Sequence, residues 1–137
     1  MTRLLVDTSA YSAFLRGEPL CVDALRHARE LVLTPVVLGE LRAGFMKGSH
    51  REKNEGELEE FLASPRVRVE VIDDDTSRFY AVAYLELSRR GSPIPTNDLW
   101  IAASALQHGL TILTGDRHFL SVPNLLVELL PAVIQQS

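Results

Sequence analysis

The stretch RLLVDTS, Arg3 to Ser9, decides the fold. Leu4 to Val6 are three apolar residues in succession, the pattern of a strand buried on both faces, and such strands belong to parallel sheets covered by helices. Asp7 follows them directly, where an ionised carboxylate is costly to desolvate unless a cation or a helix end meets it. The stretch LTILTGD, Leu110 to Asp116, repeats the pattern: an apolar run, small polar residues and an aspartate at the exit. Ligands of open α/β sheets bind outside the carboxyl ends of the strands, so Asp7 and Asp116 are expected on one edge.

Between these two stretches, strands alternate with helices. Thr8 to Leu15 reads as a helix with Thr8 or Ser9 available as N-cap, and a second helix runs from about Leu20 to Ala28. Leu31 to Thr34 is a short apolar strand, and Pro35 suits the first turn of a helix reaching about Met46 and ended by Gly48. The polar stretch Lys47 to Glu57 leads into a helix through about Leu62, and Arg68 to Ile72 alternates as a strand. A long amphipathic helix follows Asp73 to Asp75, with Arg89 and Arg90 in its last turn and Gly91 as its stop. The loop Ser92 to Pro95 precedes a helix from about Asn97 to His108, and Leu125 to Leu129 is the last strand. The pattern predicts one domain over residues 1–137, a three-layer α/β/α sandwich with a mainly parallel sheet of four to five strands.

At 137 residues the chain is long enough to bury a core without staples, and its 46% hydrophobic and 23% charged shares are those of a globular protein. The net charge of −4 offers no long-range attraction for nucleic acid, so any such contact is local or metal-assisted. Cys21 stands alone, which excludes an internal disulfide and a cysteine zinc cluster and fits a reducing, cytoplasmic setting. The apolar run before Asp7 is too short for a secretory leader, and no stretch reads as a membrane span.

Two further acids lie on helices. Glu40 borders the stripe of Val37, Leu41 and Phe45, and Asp98 heads the face carrying Ile101, Ala102 and Ala105. Taken singly, Asp7 and Asp116 also read as turn or cap residues, and Asp98 as a residue that complements a helix dipole. Together the four would raise one another's pKa values unless a cation neutralised them, and oxygen ligands favour a hard ion, Mg²⁺ or Mn²⁺.

LLVDTSAYSAFL, the acid of VLGELRAG, NDLWIAASALQHG and LTILTGDRHF stand in an order and context that resemble the PIN domain, most closely the VapC-type toxins of type II toxin–antitoxin pairs. The resemblance spans nearly the whole chain. It implies a metal-dependent endoribonuclease that cuts RNA phosphodiesters by in-line attack of water, with Asp7, Glu40, Asp98 and Asp116 as catalytic metal ligands for Mg²⁺ or Mn²⁺. It places Thr114 and Thr8 as supporting hydroxyl residues, with Ser9 the alternative to Thr8, and Asn97 as a further holder of ligands or waters. A homodimer and a small cognate antitoxin are the implied partners, and Tyr11, Phe14 and Leu15 offer part of a partner groove. Arg16, Arg42, Lys47, Arg51, Lys53 and Arg117 are candidates for a phosphate-binding rim.

His27, His50, His108 and His118 lack ligand spacing and read as surface or helix-end residues, His118 being notable only for its closeness to Asp116. The run Asp73 to Thr76 reads as a helix cap, and Trp100 and Ile101 as packing residues. Two rival readings remain. A phosphoryl-accepting receiver or phosphatase-like domain would need a lysine near the phosphoryl group, and no strand ends in one. A non-catalytic partner-binding domain would keep the acids for structure alone.

Overall fold

The computed structural model of the chain describes residues 2–131. Its centre is a five-stranded sheet built from β1 (Arg3–Val6), β2 (Glu30–Leu33), β3 (Val67–Val69), β4 (Thr111–Thr114) and β5 (Leu126–Leu129). The strand order is β3-β2-β1-β4-β5, and every pairing is parallel. Leu5 stands opposite Val32 on one side and Ile112 on the other, all three without exposed surface. A sheet buried in this way needs cover on both faces, and six helices flank it in the expected three-layer sandwich.

The helices are α1 (Thr8–Leu15), α2 (Pro19–His27), α3 (Pro35–Lys47), α4 (Arg51–Leu62), α5 (Asp74–Arg89) and α6 (Thr96–His108). The chain leaves the central strand toward β2 and β3, then returns through α5 and α6 to lay β4 against the other side of β1. The strand order therefore reverses at β1 and β4, and a crevice opens at their carboxyl ends. Asp7 and Asp116 both follow those ends.

Three expectations shift. The third strand is shorter and earlier than Arg68 to Ile72, because its partner β2 ends at Leu33; one last bond, from the Glu70 amide to the Leu33 carbonyl, closes the ladder. Helix α4 starts within the polar run, since burying Leu58 and half of Phe61 is enough to anchor a helix otherwise facing water. The N-cap of α1 is Asp7, with Thr8 and Ser9 already inside the helix, and the Asp7 side chain makes no capping bond. The Asp73–Thr76 capping box forms as read, tied further to Gln107.

Candidate active site

Asp7 is 5% exposed, the most buried acid of the crevice. Its Oδ2 accepts hydrogen bonds from Thr114 Oγ1 at 2.7 Å and Ser9 Oγ at 3.0 Å. Burial raises its pKa, the Thr114 and Ser9 hydroxyls oppose that rise, and the Glu40 charge adds to it. The capping reading of Asp7 is thus replaced: its carboxylate makes no capping hydrogen bond to α1 and is held by the Thr114 and Ser9 hydroxyls instead.

The Thr114 hydroxyl, fully buried, joins the two strand-end acids, because it donates to Asp7 and accepts from the Asp116 amide at 2.9 Å. Ser9 does parallel work, with its Oγ accepting from the Gly115 amide at 2.9 Å. Thr8, one residue earlier on α1, points to a different acid and donates to Glu40 Oε1 at 2.9 Å. Glu40 reaches this position because Thr34 caps α3 and Pro35 opens it, while Val37, Leu41 and Phe45 fix the helix face against the core.

Asp98 lies in the first turn of α6, whose Ile101, Ala102 and Ala105 are buried as the spacing predicts. Burial pushes its carboxyl up to about 6, helped by the charges of Asp116 and Asp7 and opposed by His118. Asp116 also caps a 3-10 turn, Arg117–Ser121, by accepting from the His118 amide at 2.9 Å. That turn swings the His118 ring back, so that Nδ1 lies 3.0 Å from Asp116 Oδ1 and 3.3 Å from Asp98 Oδ2.

Ligand atoms of Asp98, Asp116 and His118 all fall within 4.8 Å of one another. Asp7 and Glu40 adjoin this group: Asp7 is coupled electrostatically to both Glu40 and Asp98. Asp98 and Asp116 thus come together with Asp7 beside them, and Glu40 joins through Asp7 and Thr8. His118, exposed as read from the sequence, adds a bridge between Asp98 and Asp116 that the sequence reading did not assign. Its signal was its position two residues after a strand-end aspartate, not a spacing between histidines. Asn97 is exposed on the first turn of α6. The donor set, carboxylate oxygens with one imidazole, suits a divalent cation.

Other features sort themselves out. His108 approaches Glu70 and His27 pairs with Asp23, both outside the crevice. Arg42 pairs with Glu55 and Glu59, and Lys53 with Glu57, all at the surface. The two lysines, Lys47 and Lys53, stand on α3 and α4, so the acids have no lysine at a strand end beside them, as a receiver-type site would need. Among the described residues no helix is long and apolar enough to cross a membrane.

The fold and the crevice define a class: doubly wound parallel α/β proteins that gather carboxylates where the strand order reverses. The chain belongs to the PIN domain family, whose family model matches residues 4–125. It is 34% identical to Ribonuclease VapC4 of Mycobacterium tuberculosis, over 89% of this chain and 92% of the relative. It is 27% identical to the tRNA(fMet)-specific endonuclease VapC of Salmonella typhimurium, over 93% of this chain and 98% of the relative. Among solved structures, VapBC-5 of Mycobacterium tuberculosis, a toxin–antitoxin system, superposes with a TM-score of 0.74 at 28% identity, covering 96% of this chain and 100% of that one. VapBC2 of Rickettsia felis, bound to a promoter DNA fragment, shares the fold with a TM-score of 0.83 at 24% identity, covering 95% and 100%.

Proposed function

We propose that the protein is a VapC-type toxin: a cytoplasmic, homodimeric endoribonuclease that cuts RNA phosphodiesters with Mg²⁺ or Mn²⁺ and is held in check by a small antitoxin. The observation that carries this reading is the crowding of Asp98, Asp116 and His118 beside Asp7, in a chain whose relatives are named ribonucleases. Acids that raise one another's pKa and converge with no lysine or arginine ion pair among the described residues, only the imidazole of His118, are natural holders of a divalent ion.

Asp7, Glu40, Asp98 and Asp116 would hold the ion. When bound, it supplies Lewis acidity toward the phosphodiester and makes water a better nucleophile. The protein's own groups do the positioning. Thr114 and Ser9 fix the Asp7 carboxylate, Thr8 fixes Glu40, and His118 keeps Asp98 and Asp116 side by side. Hydrolysis adds a water oxygen to phosphorus and breaks one phosphorus–oxygen bond, and held acids spare the reorganisation that free ones would need.

The antitoxin surface supported best is the groove between α1 and α4, lined by Phe14, Leu15, Phe61, Glu57 and Glu60. Tyr11 lines the floor of the same groove, fully buried with its ring packed against Phe14 and Phe61. Its hydroxyl has no hydrogen-bond partner among the described residues. Apolar walls with two glutamates fit a basic amphipathic segment.

The test is total RNA incubated with the purified protein and Mn²⁺, with and without chelator, beside Asp7→Asn. Discrete cuts that vanish with chelator, and fall at least about a hundredfold in the variant, are the expected result. Cutting that ignores the chelator, or proceeds in Asp7→Asn at the parent rate, overturns the proposal.

A further inference from the structure

The net charge of −4 and the gathered carboxylates both oppose an RNA strand, so a cation fixed near the crevice has to favour it. Several basic side chains on the molecule are already engaged: Arg3 by Glu30, Arg42 by Glu55, Arg66 by the Leu25 and Ala28 carbonyls, and Arg68 by Glu30 and Glu70. Arg16, at the end of α1, is exposed and makes no ion pair among the described residues. It lines a cavity of about 170 Å³ with Ser9, Ala13, Gly115, Asp116, Leu130 and Pro131. One wall of that cavity therefore belongs to the crevice acids, and Arg16 supplies the opposite charge.

We infer that Arg16 binds a backbone phosphate next to the scissile one, and that the adjoining cavity takes the flanking sugar or base. The inference rests on the ribonuclease reading above. A guanidinium presents a planar fork of donors that matches two phosphate oxygens at once. Ser9 cannot take this part, because its hydroxyl is occupied by Asp7 and the Gly115 amide. Ala13, Leu130 and Pro131 give the cavity an apolar side against which a sugar or base can pack. Charge, shape and position thus meet at one residue.

The test titrates fluorescently labelled bulk transfer RNA onto the full chain carrying Asp98→Asn, with Mg²⁺ present, over a series of salt concentrations. Adding Arg16→Gln is expected to weaken binding about tenfold and to lower the slope of log affinity against log salt by about 0.7 to 0.9, the value of one phosphate contact. Arg16→Lys should keep the slope and lose less affinity, since the charge stays while the fork is lost. The melting temperature should not change, because the side chain is exposed. Equal affinity and slope with and without Arg16→Gln overturn the inference and leave the ribonuclease reading standing. If the chain with Arg16 intact binds no RNA and the unaltered protein cuts none, both fall.

Discussion

At the residue scale, the crevice is a set of charges held close against their preference. Asp98 titrates near 6 in the folded chain against 3.8 as a free side chain, so between those values the folded state binds more protons than the unfolded one. Its contribution to stability is therefore lost as pH rises from about 4 to about 6, and stays lost above. Asp98→Asn should remove this penalty and stabilise the ion-free protein at pH 7.5 by about 1–2 kcal/mol after allowance for solvent screening, or roughly 3–8 °C in melting temperature. The gain should vanish at pH 4. Thermal unfolding in chelator at the two pH values checks both, and a loss of stability at pH 7.5 contradicts the account. The acids were legible because a charge at the exit of an apolar strand, or on the border of a buried helical face, is rare without cause. His118 was not, because its place depends on a 3-10 turn that no hydrophobic period marks.

At the element scale, α6 carries the most: its first turn delivers Asp98 and its end feeds β4. Gly109 makes that join in the left-handed region, with φ 63°, and its amide returns to the Ala105 carbonyl. Gly109→Ala is expected to cost about 1 kcal/mol through backbone strain alone, since a Cβ there would meet nothing within 4 Å. Chemical denaturation should show the loss with an unchanged m-value. Helices of this kind were readable from period and punctuation. The third strand was less so: VRVEVI alternates as far as Ile72, but pairing is decided by the neighbour, and β2 offers only four residues. The sequence of an edge strand does not record the length of its partner.

At the scale of the whole molecule, the reversal of strand order at β1 and β4 converts separate stretches of chain into one binding crevice. An ion held there ties α3, α6 and the ends of β1 and β4 together, and anything that binds the folded state alone stabilises it. Millimolar Mn²⁺ is expected to raise the melting temperature by several degrees, corresponding to about 2–3 kcal/mol at a hundredfold excess over the dissociation constant. The rise should be absent in a chain carrying Asp7→Asn and Asp98→Asn together. Differential scanning fluorimetry decides it, and an equal rise in both chains means the ion sits elsewhere. The parallel, doubly covered sheet was legible from alternating segments, and the topology that makes the crevice is the ordinary consequence of covering both faces.

The return of the chain to the middle of the sheet also has a temporal side. Translation delivers Asp7 and Glu40 before Asp98 and Asp116. A half-made copy still tethered to its ribosome carries only the first pair and lacks β4 to lie against β1. On the activity proposed here, synthesis cannot be poisoned by its own unfinished product: the nuclease is armed only once β4 and the aspartate after it have emerged.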